Sequence, residues 1–131
     1  MGLDVEPPPP PSLEAASADG SYRREELDRH LEAGAWRAAF DRWSATTDMD
    51  EATFRIAREL DLFARFDFFW DDFAGRVGYH APGIPEDWRE ASTHDDLDSW
   101  GQVSSINAGL AELGQVVCEV MAAEYLDVDE E

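Results

Sequence analysis

Apolar residues recur along this chain at intervals of three and four, the spacing of one face of an α-helix. Leu27, Leu31, Ala35 and Ala38 or Ala39 form one such series, and Trp36, Phe40 and Trp43 form another. Ser21 stands where an N-cap would start the first helix, and Gly34 falls inside the pattern, where it would split the helix in two. A second series runs from Met49 to about Val77, opened by Asp48 and Glu51 in a capping-box-like arrangement. Ile56, Leu60 and Phe63 make one stripe of it, and Leu62, Phe66, Phe69 and Phe73 make a second, with Trp70 between them. Such a helix is apolar around most of its circumference and must bury more than one side. Gly75 and Gly78 are expected to terminate it. A third series, from about Asp95 to Leu126 with Thr93 and Asp96 at its start, carries Ile106, Leu110, Leu113, Val117 and Val120 at spacings of four and three, as in a packed seam.

No period-two alternation interrupts these series. The expected fold class is therefore all-α: a small bundle of about three or four helices over residues 21–126. An acidic frayed end follows at 127–131, and a disordered proline-rich tail precedes the bundle at 1–20. Pro7 to Pro11 are consecutive prolines, which favour a polyproline II conformation. They lack a flanking Arg or Lys, which reads as a spacer. Tyr79–Thr93, with Pro82, Gly83 and Pro85, reads as a loop in which Pro85 opens a single turn through Trp88.

Charge changes the picture of the surface. The 131 residues suit one domain, yet they carry 30 acids against 10 bases, for a formal net charge of −20. Every base is Arg, and Lys is absent. Self-repulsion of this size strains a compact state, but at 1 M salt the Debye length is only about 3 Å and the repulsion is largely screened. Acid excess without Lys resembles the proteins of organisms that accumulate salt in the cytoplasm, a resemblance of environment rather than of family. With 44% apolar residues the chain is not a disordered acidic one. Binding to nucleic acid or anionic lipid needs clustered Lys and Arg and is unexpected here. No segment reads as a membrane span or a signal peptide, so a cytoplasmic location is expected. A single cysteine, Cys118, excludes an internal disulfide; flanked by valines, it reads as a buried structural thiol.

Candidate chemistry is sparse. In so acidic a chain, pairs of carboxylates carry no information about acid–base catalysis. His80 and His94 flank the long loop, and Asp96 follows closely. These three are the candidate metal ligands, although helical metal-ligand spacing is missing. No cofactor is implied. An alternative function follows from this loop: a small metal- or ligand-binding protein or enzyme, with its site near Tyr79–His94 and Trp88.

The sharper feature is an absence of charge. In a chain that is 31% charged, Ser99 to Ala111 carries no charged residue. Such a helix is either the centre of the bundle or a face that meets another subunit. The candidate interface residues are therefore Ile106, Leu110, Leu113 and Val117 on this helix, and Phe66, Phe69, Trp70 and Phe73 on the aromatic one. The function these patterns favour is a salt-adapted, halophilic cytoplasmic protein without enzymatic activity. It would be an interaction or regulatory module that forms a homo-oligomer or binds a protein partner.

Overall fold

A computed structural model of the chain describes residues 5–11, 21–71, 73, 75–84, 86–90, 94 and 97–125. Its first helical unit follows the apolar series. Helix α1 (Ser21–His30) passes through a π-type segment, Leu31–Ala35, into α2 (Trp36–Thr46). Gly34 interrupts the unit at φ 139°, a backbone conformation that L side chains rarely adopt. Leu27, Leu31, Ala35, Trp36, Ala39, Phe40 and Trp43 all face the core.

The second unit departs from the all-α expectation. Helix α3 covers only Glu51–Glu59, capped by Asp50, whose carboxylate accepts from the Thr53 backbone N–H at 2.8 Å. The helix stops at Leu60 because Asp61 adopts the left-handed region at φ 64°. A 3₁₀ turn follows at Leu62–Arg65, then two antiparallel strands, β1 (Asp67–Asp71) and β2 (Arg76–His80). The fold is thus mixed α/β, not all-α. Aromatic residues favour strands, and the run Phe66–Trp70 takes that option once the chain has left the helix. Gly75, at φ 69°, serves the turn between the strands rather than ending a helix. Gly78 lies within β2.

The last unit is α4 (Trp100–Val120), continued by a π-type segment, Met121–Tyr125. Its start lies at Ser99 instead of near Asp95. The Ser99 hydroxyl accepts from the Gln102 N–H, and the Gln102 side chain accepts from the Ser99 N–H, a complete capping box. Thr93 and Asp96 lie outside the described residues. Val103, Ile106, Leu110, Leu113, Val117 and Val120 form the buried face of α4, packed mainly on α2. The opposite face explains the absence of charge: Gly101, Ser104, Asn107 and Ala108 are exposed, small or neutral.

Ring contacts run through the aromatic core. Phe40 lies 5.4 Å from Trp43 and 5.9 Å from Phe54, and Phe54 lies 5.2 Å from Phe63. Trp36 meets Phe66 edge-on at 5.6 Å, and Phe66 stacks on Phe68 at 5.9 Å. The hairpin is held between α1, against β1, and α4, against β2. Polar contacts among the described residues fasten the loop after β2. The Ile84 N–H donates to Asn107 Oδ1 at 2.9 Å, and His94 Nε2 meets Glu59 Oε1 at 2.6 Å.

Candidate interaction surface

The register of the hairpin fixes what each face carries. Strand side chains alternate between faces, and residues paired across an antiparallel ladder share a face. Phe68 pairs with Tyr79 and Trp70 with Val77, and these positions form the inner face. Phe68 and Val77 are buried there. The outer face holds Asp67 opposite His80 and Phe69 opposite Gly78, and the backbone register ends at Asp71 and Arg76. Asp67 therefore stands on β1 and His80 and Arg76 on β2, with Phe69 beside them. The Phe69 ring stacks on His80 at 5.1 Å and covers Gly78. A Cβ at position 78 would lie 2.5 Å from Phe69 Cζ, so the glycine admits the ring. Beyond the ladder, Phe73 in the turn is 102% exposed.

Along β2 a groove of about 580 Å³ opens toward α4, lined by Phe69, Arg76, Tyr79, Gln115, Cys118 and Glu119 among others. Burial pushes the Cys118 thiol up to about 12; Glu119 adds to the shift and Arg76 opposes it. The thiol is protonated at neutral pH, so the groove offers no thiolate nucleophile. Arg42 on α2 reaches Glu119 at 3.4 Å and ties the far side of the groove to the body.

The chain matches, over residues 2–131, the model of a family described as a family of unknown function, DUF7992. The chain belongs to this family. No curated protein and no solved structure matches this DUF7992 member.

The structure separates the residues that the sequence had grouped. Ile106, Leu110, Leu113 and Val117 are fully buried inside the single chain, and Phe66 is buried with them. Their contacts are made within the chain, which leaves them no surface for a partner. Phe69 is half-buried and Phe73 exposed; the side chain of Trp70 lies outside the described residues. The candidate metal ligands are not gathered. His94 is engaged with Glu59, His80 with the Phe69 ring, and Asp96 lies outside the described residues. Among the described residues no group of three His, Cys, Asp or Glu side chains is placed to hold a metal ion. Trp88, expected near a ligand, is buried, edge-on to Trp100 at 5.5 Å and with the Arg89 guanidinium 4.9 Å from its ring centroid. No helix among the described residues is long and apolar enough to cross a membrane.

The hairpin was the missed element. Its signal was two runs rich in aromatic and β-branched residues, Phe66–Trp70 and Arg76–His80, separated by a short segment containing Gly75.

Proposed function

We propose that this protein is a salt-adapted, non-enzymatic interaction module of the cytoplasm that self-associates through the outer face of its hairpin. The supporting observation is the self-complementary pattern of that face. A two-fold axis parallel to the strands lays β1 of one copy over β2 of the other. Asp67 then meets His80, and each Phe69 meets the ring that covers the partner copy's Gly78. An isologous contact requires a patch that complements itself in this way. The exposed Phe73 extends the patch at the turn.

Two strands of five residues span about 17 Å by 10 Å. That is well short of the roughly 800 Å² per partner of a stable complex. The association is accordingly weak and concentration-dependent, as suits a regulatory contact. Sedimentation equilibrium in 2–3 M KCl, from ~10 μM to ~1 mM protein, tests it, with a dimer expected toward the upper end. Phe69→Asp together with Phe73→Asp should restore a monomer. A strict monomer at every concentration would rule the proposal out.

A further inference from the structure

The proline-rich segment packs against the body, and it does so with a period. Val5 is half-buried, Pro8 and Pro11 are buried, and Glu6 and Pro9 are exposed. An interval of three residues is one turn of a polyproline II helix, so positions 5, 8 and 11 form a single ridge roughly 19 Å long. The ridge is read by a hydrogen bond as well as by packing. The buried Trp36 Nε1–H donates to the Pro8 carbonyl at 2.9 Å. A polyproline II helix makes no internal hydrogen bonds, which leaves its carbonyls available to such a donor.

The receiving surface is shaped for this. Gly34 breaks the helix two residues before Trp36, and Phe66 holds the indole edge-on. The ridge does not fill its surroundings. A hollow of about 390 Å³ remains beside Pro8, Pro10, Leu31, Gly34, Trp36 and Arg37. Another of about 350 Å³ remains beside Val5, Glu6, Phe54, Arg55 and Arg58. Glu6 borders both hollows, and the charged residues of the body beside them are three arginines, Arg37, Arg55 and Arg58, against two acids, Glu32 and Glu51, in a chain where acids outnumber bases 30 to 10. The surface therefore suits an apolar residue, an acid, and prolines three and six positions after the apolar residue.

We infer that the surface of Leu31, Trp36 and Phe54 is a binding site for acidic proline-rich polypeptide segments of other proteins, occupied in this chain by its own arm, Val5–Pro11. The arm acts as a built-in competitor. Residues 12–20 tether it to α1, and a short tether gives an effective concentration on the order of millimolar. An arm of ~100 μM intrinsic affinity thus weakens a competing segment about tenfold while it is docked. This site is separate from the hairpin face and does not depend on self-association.

The test uses the full chain in molar KCl and a synthetic peptide of the sequence Leu3–Ser12. In the Pro8→Asp, Pro11→Asp variant, which spoils the ridge, the peptide should bind saturably and shift the indole N–H resonance of Trp36. Binding should be at least tenfold tighter than to the unmodified chain. Adding Trp36→Phe, which keeps a ring but removes the donor, should weaken it about tenfold, and a peptide with Arg in place of its Glu should also bind more weakly. Equal binding by the released and unmodified chains, or none by a folded released chain at millimolar peptide, overturns the inference. Should the released variant not fold, isotope-labelled unmodified protein with excess unlabelled peptide decides. Contacts from the Trp36 indole to the labelled arm should give way to contacts to the peptide, and their persistence at several millimolar peptide overturns it equally.

Discussion

The ring of Tyr79 lies against the backbone of Gly114. A Cβ at position 114 would stand 2.5 Å from Tyr79 Cδ2 and 3.2 Å from its Cγ. This contact seats the hairpin on α4, because the near end of a side chain anchored in β2 meets a helix surface that carries no side chain. Gly109, one turn and a half earlier on the same helix, makes a different contact. Its Cβ would meet the terminal methyl of Met49 at 2.6 Å and Trp43 at 3.6 Å.

The two glycines should therefore respond differently to alanine. At Gly114 overpacking costs about 1–3 kcal/mol, only partly offset by the gain in helix propensity of about 1 kcal/mol. At Gly109 the flexible Met49 side chain can move aside, and the propensity gain roughly cancels the strain. Denaturant melts in molar salt should show Gly114→Ala destabilised and Gly109→Ala within about 0.5 kcal/mol of the parent. Equal losses at both positions would mean that Tyr79 does not set the hairpin's seat.

Asp50 gives a prediction in pH. Its side chain accepts from the Thr53 side chain and from the Thr53 N–H, and these hydrogen bonds hold its carboxyl below the ordinary range of an aspartate. A depressed carboxyl pKa contributes stability that is present above the unfolded value and is lost as pH falls through the folded value. The group is largely exposed, so solvent screening keeps the contribution small. Acidification also relieves repulsion among 30 acids, an effect of opposite sign, so the useful quantity is a difference between variants. Asp50→Asn keeps a good cap and removes the titration, while Asp50→Ala should cost about 1 kcal/mol at pH 7. The stability gap between parent and Asn variant should shift in favour of Asn below about pH 4. A gap independent of pH would show that the cap does not depend on ionisation.

How far the fold was legible depends on whether one period explained each segment. The α4 seam was clear, because Ile106, Leu110, Leu113 and Val117 have a single helical reading and are all fully buried. What the spacing could not show is that the chain's own residues suffice to bury them, so core and interface looked alike. The hairpin was hidden because Phe66, Phe69 and Phe73 happen to fall at helical spacing. Phe68 faces the core and Phe69 the outside, yet both are aromatic, so the alternation left no mark in the apolar pattern. The left-handed Asp61 that ends α3 has no sequence signal as strong as Gly would give. The ridge of Val5, Pro8 and Pro11 has a period of three, which a search for periods of 3.6 and 2 passes over.

Cys118 should behave as a reporter of packing. Its thiol, pushed up to about 12 by burial, is protonated in the folded protein at pH 8, so reaction with a disulfide reagent should be slow in molar KCl. Unfolding returns it to an ordinary pKa, and labelling should accelerate by orders of magnitude. Because the neutral form is favoured in the fold, this group's contribution to stability is lost as pH rises above 9.0 toward 12. Rapid labelling of the folded protein at pH 8 would show that the fold does not suppress ionisation of the thiol.

The same reagent follows the dependence on salt. With a net charge of −20 and bases that are all Arg, the compact state carries strong self-repulsion at low ionic strength. The Debye length is about 30 Å at 0.01 M salt and about 3 Å at 1 M. At the lower salt concentration every acid on a domain of this size repels most of the others. Dilution from 3 M to 0.05 M KCl should therefore abolish the cooperative melt or lower its midpoint substantially. Labelling of Cys118 and loss of near-ultraviolet dichroism from the Trp36–Phe66 and Phe40–Trp43 contacts should change together. Sodium chloride at equal ionic strength should act in the same direction, whereas an equal concentration of sucrose should not restore the fold of a repulsion-limited protein. A cooperative melt with one midpoint from low to molar salt would rule out salt adaptation.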